Sequence, residues 1–168
     1  MPRPTLFLTI GLPGTGKTTA ARQIEAEHNA LRPGESTRGV RRDRRRLIRL
    51  GLHALELGTN VVLDFGLWSR DERSALRQAA VDVGASVELR YYELAPDEQR
   101  KRLDRRRAEA PHATWPISDE ELAGWAAKLD IPTAAELDGS EPVGPPPDGL
   151  ASWDEWRRHR WPPSVQSA

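Results

Sequence analysis

Thr5-Leu6-Phe7-Leu8-Thr9-Ile10-Gly11-Leu12-Pro13-Gly14-Thr15-Gly16-Lys17-Thr18 is the stretch that decides how this chain folds. Thr5–Ile10 is a continuous apolar run, as expected of a strand covered on both faces. Gly11–Thr18 then fits G-x-x-x-x-G-K-[ST] without a mismatch. Its glycines let backbone N–H groups turn inward around phosphate oxygens, where a Cβ would obstruct them. In such a loop Lys17 reaches the β- and γ-phosphates and the Thr18 hydroxyl ligates Mg²⁺. A helix expected from about Gly16 to His28 points its positive end at the same anion. The residues expected to hold ATP are Gly11, Pro13, Gly14, Thr15, Gly16, Lys17, Thr18 and Thr19, with Mg²⁺ as the second cofactor. The motif implies nucleotide binding and does not by itself define a reaction.

Outward from the loop, short β-rich runs alternate with helical periods. The first helix puts Ala20, Ala21, Ile24 and His28 on one side, and Asn29 is its stop signal. A weak strand is expected near Ser36–Val40. A helix follows from about Arg44 to Leu57, with Leu47, Ile48, Gly51, Leu52 and Leu55 at core spacing and Gly58 at its end. Asn60–Asp64 reads as a strand. Ser69 and Glu72 form a capping box for a helix that turns Ala75, Leu76, Ala79, Ala80 and Val83 inward. Ser86–Glu93 is a further strand, and Pro96, Asp97 and Glu98 open another helix. The pattern predicts an α/β, P-loop NTPase three-layer sandwich around a short parallel sheet of about four strands.

Beyond Ala110, Ser118 and Glu121 make a second capping box, with Ile117 and Leu122 placed as a hydrophobic staple. Leu122, Trp125, Ala126 and Leu129 give that helix an apolar stripe. Glu141–Gly149 (EPVGPPPDG) reads as a stiff connector to a segment carrying Trp153, Trp156 and Trp161. Residues 1–140 are therefore expected to form one catalytic domain. Residues 141–168 are expected to pack on it, since tryptophan brings much apolar area, although a partner-binding tail is the alternative.

Composition narrows the class. The 168 residues include 38% apolar and 30% charged side chains, with net charge zero, so nothing global steers the chain toward nucleic acid or a membrane. Lysine occurs at positions 17, 101 and 128; the remaining basic residues are arginines. The absence of cysteine excludes disulfides and thiolate–metal sites. The six-residue apolar run that follows Met1-Pro2-Arg3-Pro4 is too short for a signal-peptide core, and no apolar run approaches the roughly 20 residues that span a bilayer. A cytoplasmic protein, not a membrane partner, is expected.

The loop together with Gly39–Arg46 (GVRRDRRR), Val61–Arg73 (VVLDFGLWSRDER) and Ser86–Arg107 resembles a family of small P-loop kinases. These include polynucleotide 5′-kinases of the phage type, zeta-toxin-like kinases and chloramphenicol-phosphotransferase-like kinases. The resemblance spans roughly residues 5–130. It implies that Asp43, after the second strand, is the base toward an acceptor hydroxyl, and that Arg46 lies near the acceptor. It also implies that Asp64, at the end of the third strand, touches Mg²⁺ or orients the acceptor. The arginine-rich helix before Ala108 resembles the family's lid, with Arg102, Arg105 and Arg106 closing over the ATP phosphates. Each residue also has a plainer role open to it. Asp43 can be a helix N-cap, Asp64 a satisfied structural carboxylate, and the arginines a solvated face.

Lys17, Mg²⁺ on Thr18, a lid arginine and Asp43 suffice for phosphoryl transfer. Seven arginines in Arg38–Arg49, against the single acid Asp43, favour an anionic or polar small-molecule acceptor. A 5′-hydroxyl of RNA or DNA is the alternative, disfavoured by the neutral charge and the lack of an interleaved aromatic platform. A nucleotide-binding regulatory or toxin-like module with weak turnover is the alternative outside the enzymes.

Overall fold

A computed structural model describes residues 3–34, 44–112 and 114–162. Among these, β1 (Thr5–Ile10) is the centre of a parallel sheet of order β2-β1-β3, with β2 at Val61–Leu63 and β3 at Ser86–Tyr91. Leu6 pairs with Val61 on one side and Val87 on the other. Three strands are thus described where about four are expected, because Ser36–Val40 lies outside the described residues. The outer edge of β2 is met earlier, at Leu31, which forms a one-residue parallel bridge to Val61. The expected extension of β3 to Glu93 stops at Tyr91. Its partner β1 turns away at Gly11, leaving a last bond from the Tyr92 N–H to the Ile10 carbonyl at 2.9 Å.

The strand period of two sorts side chains into layers. Leu6, Leu8 and Ile10 face a large core shared with Ile48, Leu55, Leu63, Leu76 and Trp161. Phe7 and Val62 face the other way, onto Ala21 and Ile24 of α1 (Lys17–His28). So α1 covers one face, whereas α2 (Arg44–Glu56) and α3 (Arg70–Asp82) cover the other. Asn29 ends α1 in the left-handed conformation at φ 48°, as its side chain tolerates. The buried Gly51 lets α2 approach β2, since a Cβ there would stand 3.1 Å from Val61. The Ser69–Glu72 and Ser118–Glu121 capping boxes both form.

The helix after β3, α4, spans Pro96–Glu109, and α5 spans Asp119–Ala126. The stripe expected on α5 is at most half-buried. No residue of α5 is buried and Ala126 is exposed, while Leu122 and Trp125 are half-buried, the latter 5.9 Å from the Trp68 ring. Leu129 lies past the helix end.

The chain closes with α6 (Ala134–Leu137) and α7 (Trp153–Arg160), the latter against α3. Trp153, Trp156 and Trp161 stack edge-on at 5.8 and 5.6 Å, and the Trp153 indole donates to the Gly144 carbonyl at 2.8 Å. Glu72, itself buried, is a shared acceptor. It receives the Ser69 N–H of its own capping box at 3.4 Å and Arg160 of α7 at 2.7 Å.

Arg73 and Glu136 form a two-bond pair, at 2.6 and 3.0 Å, with both side chains 1% exposed. Removing one partner leaves the other charge buried and unmet, which typically costs 3–5 kcal/mol. Glu136→Ala should therefore lose about 3–5 kcal/mol in urea unfolding, against less than about 0.5 kcal/mol for the exposed Glu120→Ala. The double change Arg73→Met with Glu136→Leu should recover most of that loss.

Candidate nucleotide site

Gly11 leaves β1 at φ 149°, and a Cβ there would collide with the Tyr92 carbonyl oxygen and the Thr15 hydroxyl. The loop that follows is tied to itself. The Thr15 hydroxyl donates to the Leu12 carbonyl at 2.8 Å, and Lys17 Nζ donates to the same oxygen at 2.7 Å. Burial lowers the Lys17 pKa to about 8; nearby Asp64 pulls it back up and Arg106 pushes it further down. Lys17, Asp64 and Arg106 therefore sit within electrostatic reach of one another.

The lid helix is docked on this loop by its inward side. Gln99 and Leu103 are the buried residues of α4. The Gln99 amide donates to the Pro13 carbonyl at 2.7 Å, and Leu103 stands where a Cβ on Gly14 would be only 3.0 Å away. Positions three and four residues apart share a helix face, so this anchoring turns Arg102 and Arg106 toward the loop. Together with Arg105 they line a cleft of 470 Å³ whose other wall is Pro13, Gly14, Gly16, Lys17, Thr18 and Thr19. All three arginines expected of the lid are thus brought to the phosphate loop. Arg100, by contrast, is structural: it donates to the Ile117 carbonyl at 2.8 Å and pairs with Asp119, joining α4 to α5.

Gly11 and Thr15 lie beneath the cleft, both buried. Asp64 follows β2 directly, with its side chain 7% exposed and one oxygen held by Arg32 at 3.3 Å. Arg32 also grips Glu25 of α1 at 3.1 Å. Arg46 is exposed on α2 and is not part of the cleft wall. Asp43 lies outside the described residues. Arg44, the first residue of α2, stands over the Phe65 ring at 5.8 Å, so the start of α2 is beside the segment that leaves β2.

Three residues escape the sequence reading. Gln99 was legible in principle from its i, i+4 spacing to Leu103. Arg22 lines the cleft from the exposed side of α1, one turn past Thr18. Arg32 had no local signal, because its partner Asp64 is distant in sequence and is brought near by strand pairing.

No curated protein matches the chain. Among solved structures, one from the Pnkp1/Rnl/Hen1 RNA repair complex superposes with a TM-score of 0.58 at 21% identity. That match covers 83% of this chain and 47% of the other, so the present chain spans about half the length of that relative. A putative kinase from Chloroflexus aurantiacus gives a TM-score of 0.57 at 18% identity, covering 86% of each chain. A gluconokinase from Sinorhizobium meliloti gives 0.56 at 15% identity, covering 80% of each. These likenesses establish a fold shared with P-loop kinases. The AAA domain family model AAA_33 matches residues 6–130, most of the chain, and the protein belongs to that family.

Proposed function

We propose that this protein is a phosphotransferase that moves the γ-phosphate of ATP to a hydroxyl of a small polar or anionic molecule. The observation that carries this is the shared cleft: one docked helix brings Arg102, Arg105 and Arg106 over the wall formed by Lys17 and Thr18. The cleft suits a triphosphate. Lys17, Arg22 and the three lid arginines face it, against Glu109 as the one wall acid among the described residues. The loop backbone is held in a turn that a Cβ at Gly11 would prevent.

In the proposed reaction Lys17 leaves the Leu12 carbonyl and takes the β- and γ-phosphates. The lid arginines lie over the oxygens on which charge accumulates. Mg²⁺ would be held by the Thr18 hydroxyl, with Asp64, whose charge bears on Lys17, as a further candidate ligand, and would neutralise phosphate charge. Arg32 fixes one oxygen of Asp64 and so leaves the other for the metal or the acceptor. Asp43, next to the start of α2, accepts the hydroxyl proton as the acceptor oxygen bonds to the γ-phosphorus and the bond to ADP breaks. An ATP-rich cytoplasm is the setting this requires. Residues 141–168 extend the same catalytic unit in this proposal.

A polynucleotide 5′-hydroxyl is the second acceptor, favoured by the fold likeness to the RNA repair complex. The net charge of zero argues against it. The deciding experiment is a γ-phosphate transfer screen against pools of nucleosides, sugars, antibiotics and oligonucleotides. Rapid transfer to a small-molecule pool is expected. No transfer, with only slow phosphate release, would make the protein a nucleotide-binding module.

Asp43→Asn keeps size and capping ability but cannot take a proton. It should fold, bind Mg·ATP nearly as before and lose about 10²-fold or more in transfer rate. Wild-type transfer by this variant would reduce Asp43 to a cap.

A further prediction concerns pH. Burial disfavours charged Lys17 in the free protein, and bound phosphate restores the charge, so binding takes up a proton wherever the free lysine has lost one. Mg·ATP affinity measured by calorimetry should be level below pH 8. Above it, affinity should fall by up to about tenfold per pH unit, with proton uptake seen across buffers. Lys17→Arg should remove this dependence.

A further inference from the structure

Arg45, Ile48, Arg49 and Leu52 recur at helical spacing and share one face of α2. Opposite them stand Arg157 and Arg158 of α7, with Trp161 just beyond the helix end. The cavity between the two helices measures 280 Å³, at the small end of ligand pockets. None of its wall residues belongs to the phosphate-loop cleft.

The floor of this groove is apolar: Ile48 and Trp161 are members of the main core, and Leu52 packs against it. Its rim is cationic and incompletely neutralised. Asp154, the acid on the wall, is already engaged by Arg157 at 2.8 Å and Arg158 at 3.1 Å. Arg45 and Arg49 have no hydrogen-bond or ion-pair partner among the described residues. Two further donors are unmet: the Trp161 indole N–H and the Arg157 Nε–H are withdrawn from solvent with no acceptor among the described residues. A buried donor without an acceptor costs stability, and an acceptor-bearing ligand would relieve it.

We propose that the groove between α2 and α7 is a second ligand site, for a small anion with a flat apolar body such as an aryl phosphate or aryl carboxylate. The ring lies on Ile48, Leu52 and Trp161, while the anionic group meets the guanidinium forks of Arg45 and Arg49. Part of the arginine cluster in Arg38–Arg49, read from sequence as flanking the acceptor, thus serves a different cavity. The proposal does not depend on phosphotransfer.

The probe is 1-naphthyl phosphate, titrated into the full chain by calorimetry and tryptophan fluorescence, with and without Mg·ADP. Inorganic phosphate and 1-naphthol serve as its two halves. Saturable one-site binding is expected, unchanged by Mg·ADP and at least tenfold tighter than either half. The double variant Arg45→Ala/Arg49→Ala, exposed enough to fold with an unchanged melting temperature, should weaken it tenfold or more. Absence of saturable binding, displacement by Mg·ADP, or full affinity in the double variant would each overturn the site. Mg·ADP that fails to bind while the probe still does would instead remove the nucleotide reading and leave the groove intact.

Discussion

The clasp between the phosphate loop and α4 is the constraint on which the rest of the candidate site depends. A phosphate loop holds its N–H groups inward only if something keeps it from relaxing. Here two contacts do so: the Gln99 amide on the Pro13 carbonyl, and Leu103 against Gly14. Below them Gly11 passes under the Tyr92 carbonyl, where the end of β3 leads toward α4. One short stretch of chain therefore sets the turn of the loop and the orientation of the lid. Because α4 buries little else, its arginines are free to face the cleft without leaving the helix short of packing.

Three of the arginines answer buried carboxylates. Arg73 is held by Glu136, Arg32 spans Glu25 and Asp64, and Arg160 reaches the buried Glu72. Each joins elements remote in sequence: α3 to α6, α1 to the end of β2, and α3 to α7. Arginine suits these places because its planar fork meets carboxylates with two donors and remains charged when buried. Such pairs add little net stability over apolar packing, since desolvation offsets the attraction. What they do in this fold is tie together elements that the chain keeps apart. A carboxylate at Asp64 gripped by Arg32 has fewer rotamers than a free one, which would suit the role proposed for it.

The parts legible in the sequence were those with local physics. The phosphate loop, the two serine capping boxes and the Asn29 stop were local in this sense. So was the continuous apolar strand Thr5–Ile10, and all of these were readable because neighbours within a few residues determine them. The lid arginines were legible through resemblance, and their common direction became explicable once Gln99 was seen to anchor beside Leu103. The α5 stripe proved shallow, because helical spacing records amphipathicity and not depth: Trp125 meets Trp68, and Leu129 packs on the main core from beyond the helix end. Arg32 and the Arg73–Glu136 pair were illegible for the complementary reason. Their partners lie 32 and 63 residues away, and strand order and helix docking bring them together.

The two cavities differ in how their positive charge is made available. In the cleft, Lys17 is bonded to the Leu12 carbonyl and partly desolvated, so its charge is weakened until an anion replaces that carbonyl. Such a site favours a strongly charged, correctly placed phosphate over a passing anion, since only the former recovers the cost of drawing the lysine away. In the proposed α2–α7 site, Arg45 and Arg49 stand at the rim over an apolar floor, so attraction and hydrophobic contact would act together on one ligand. The first arrangement suits a reaction, where discrimination must be tied to the transferred group. The second suits retention of a ligand that does not react.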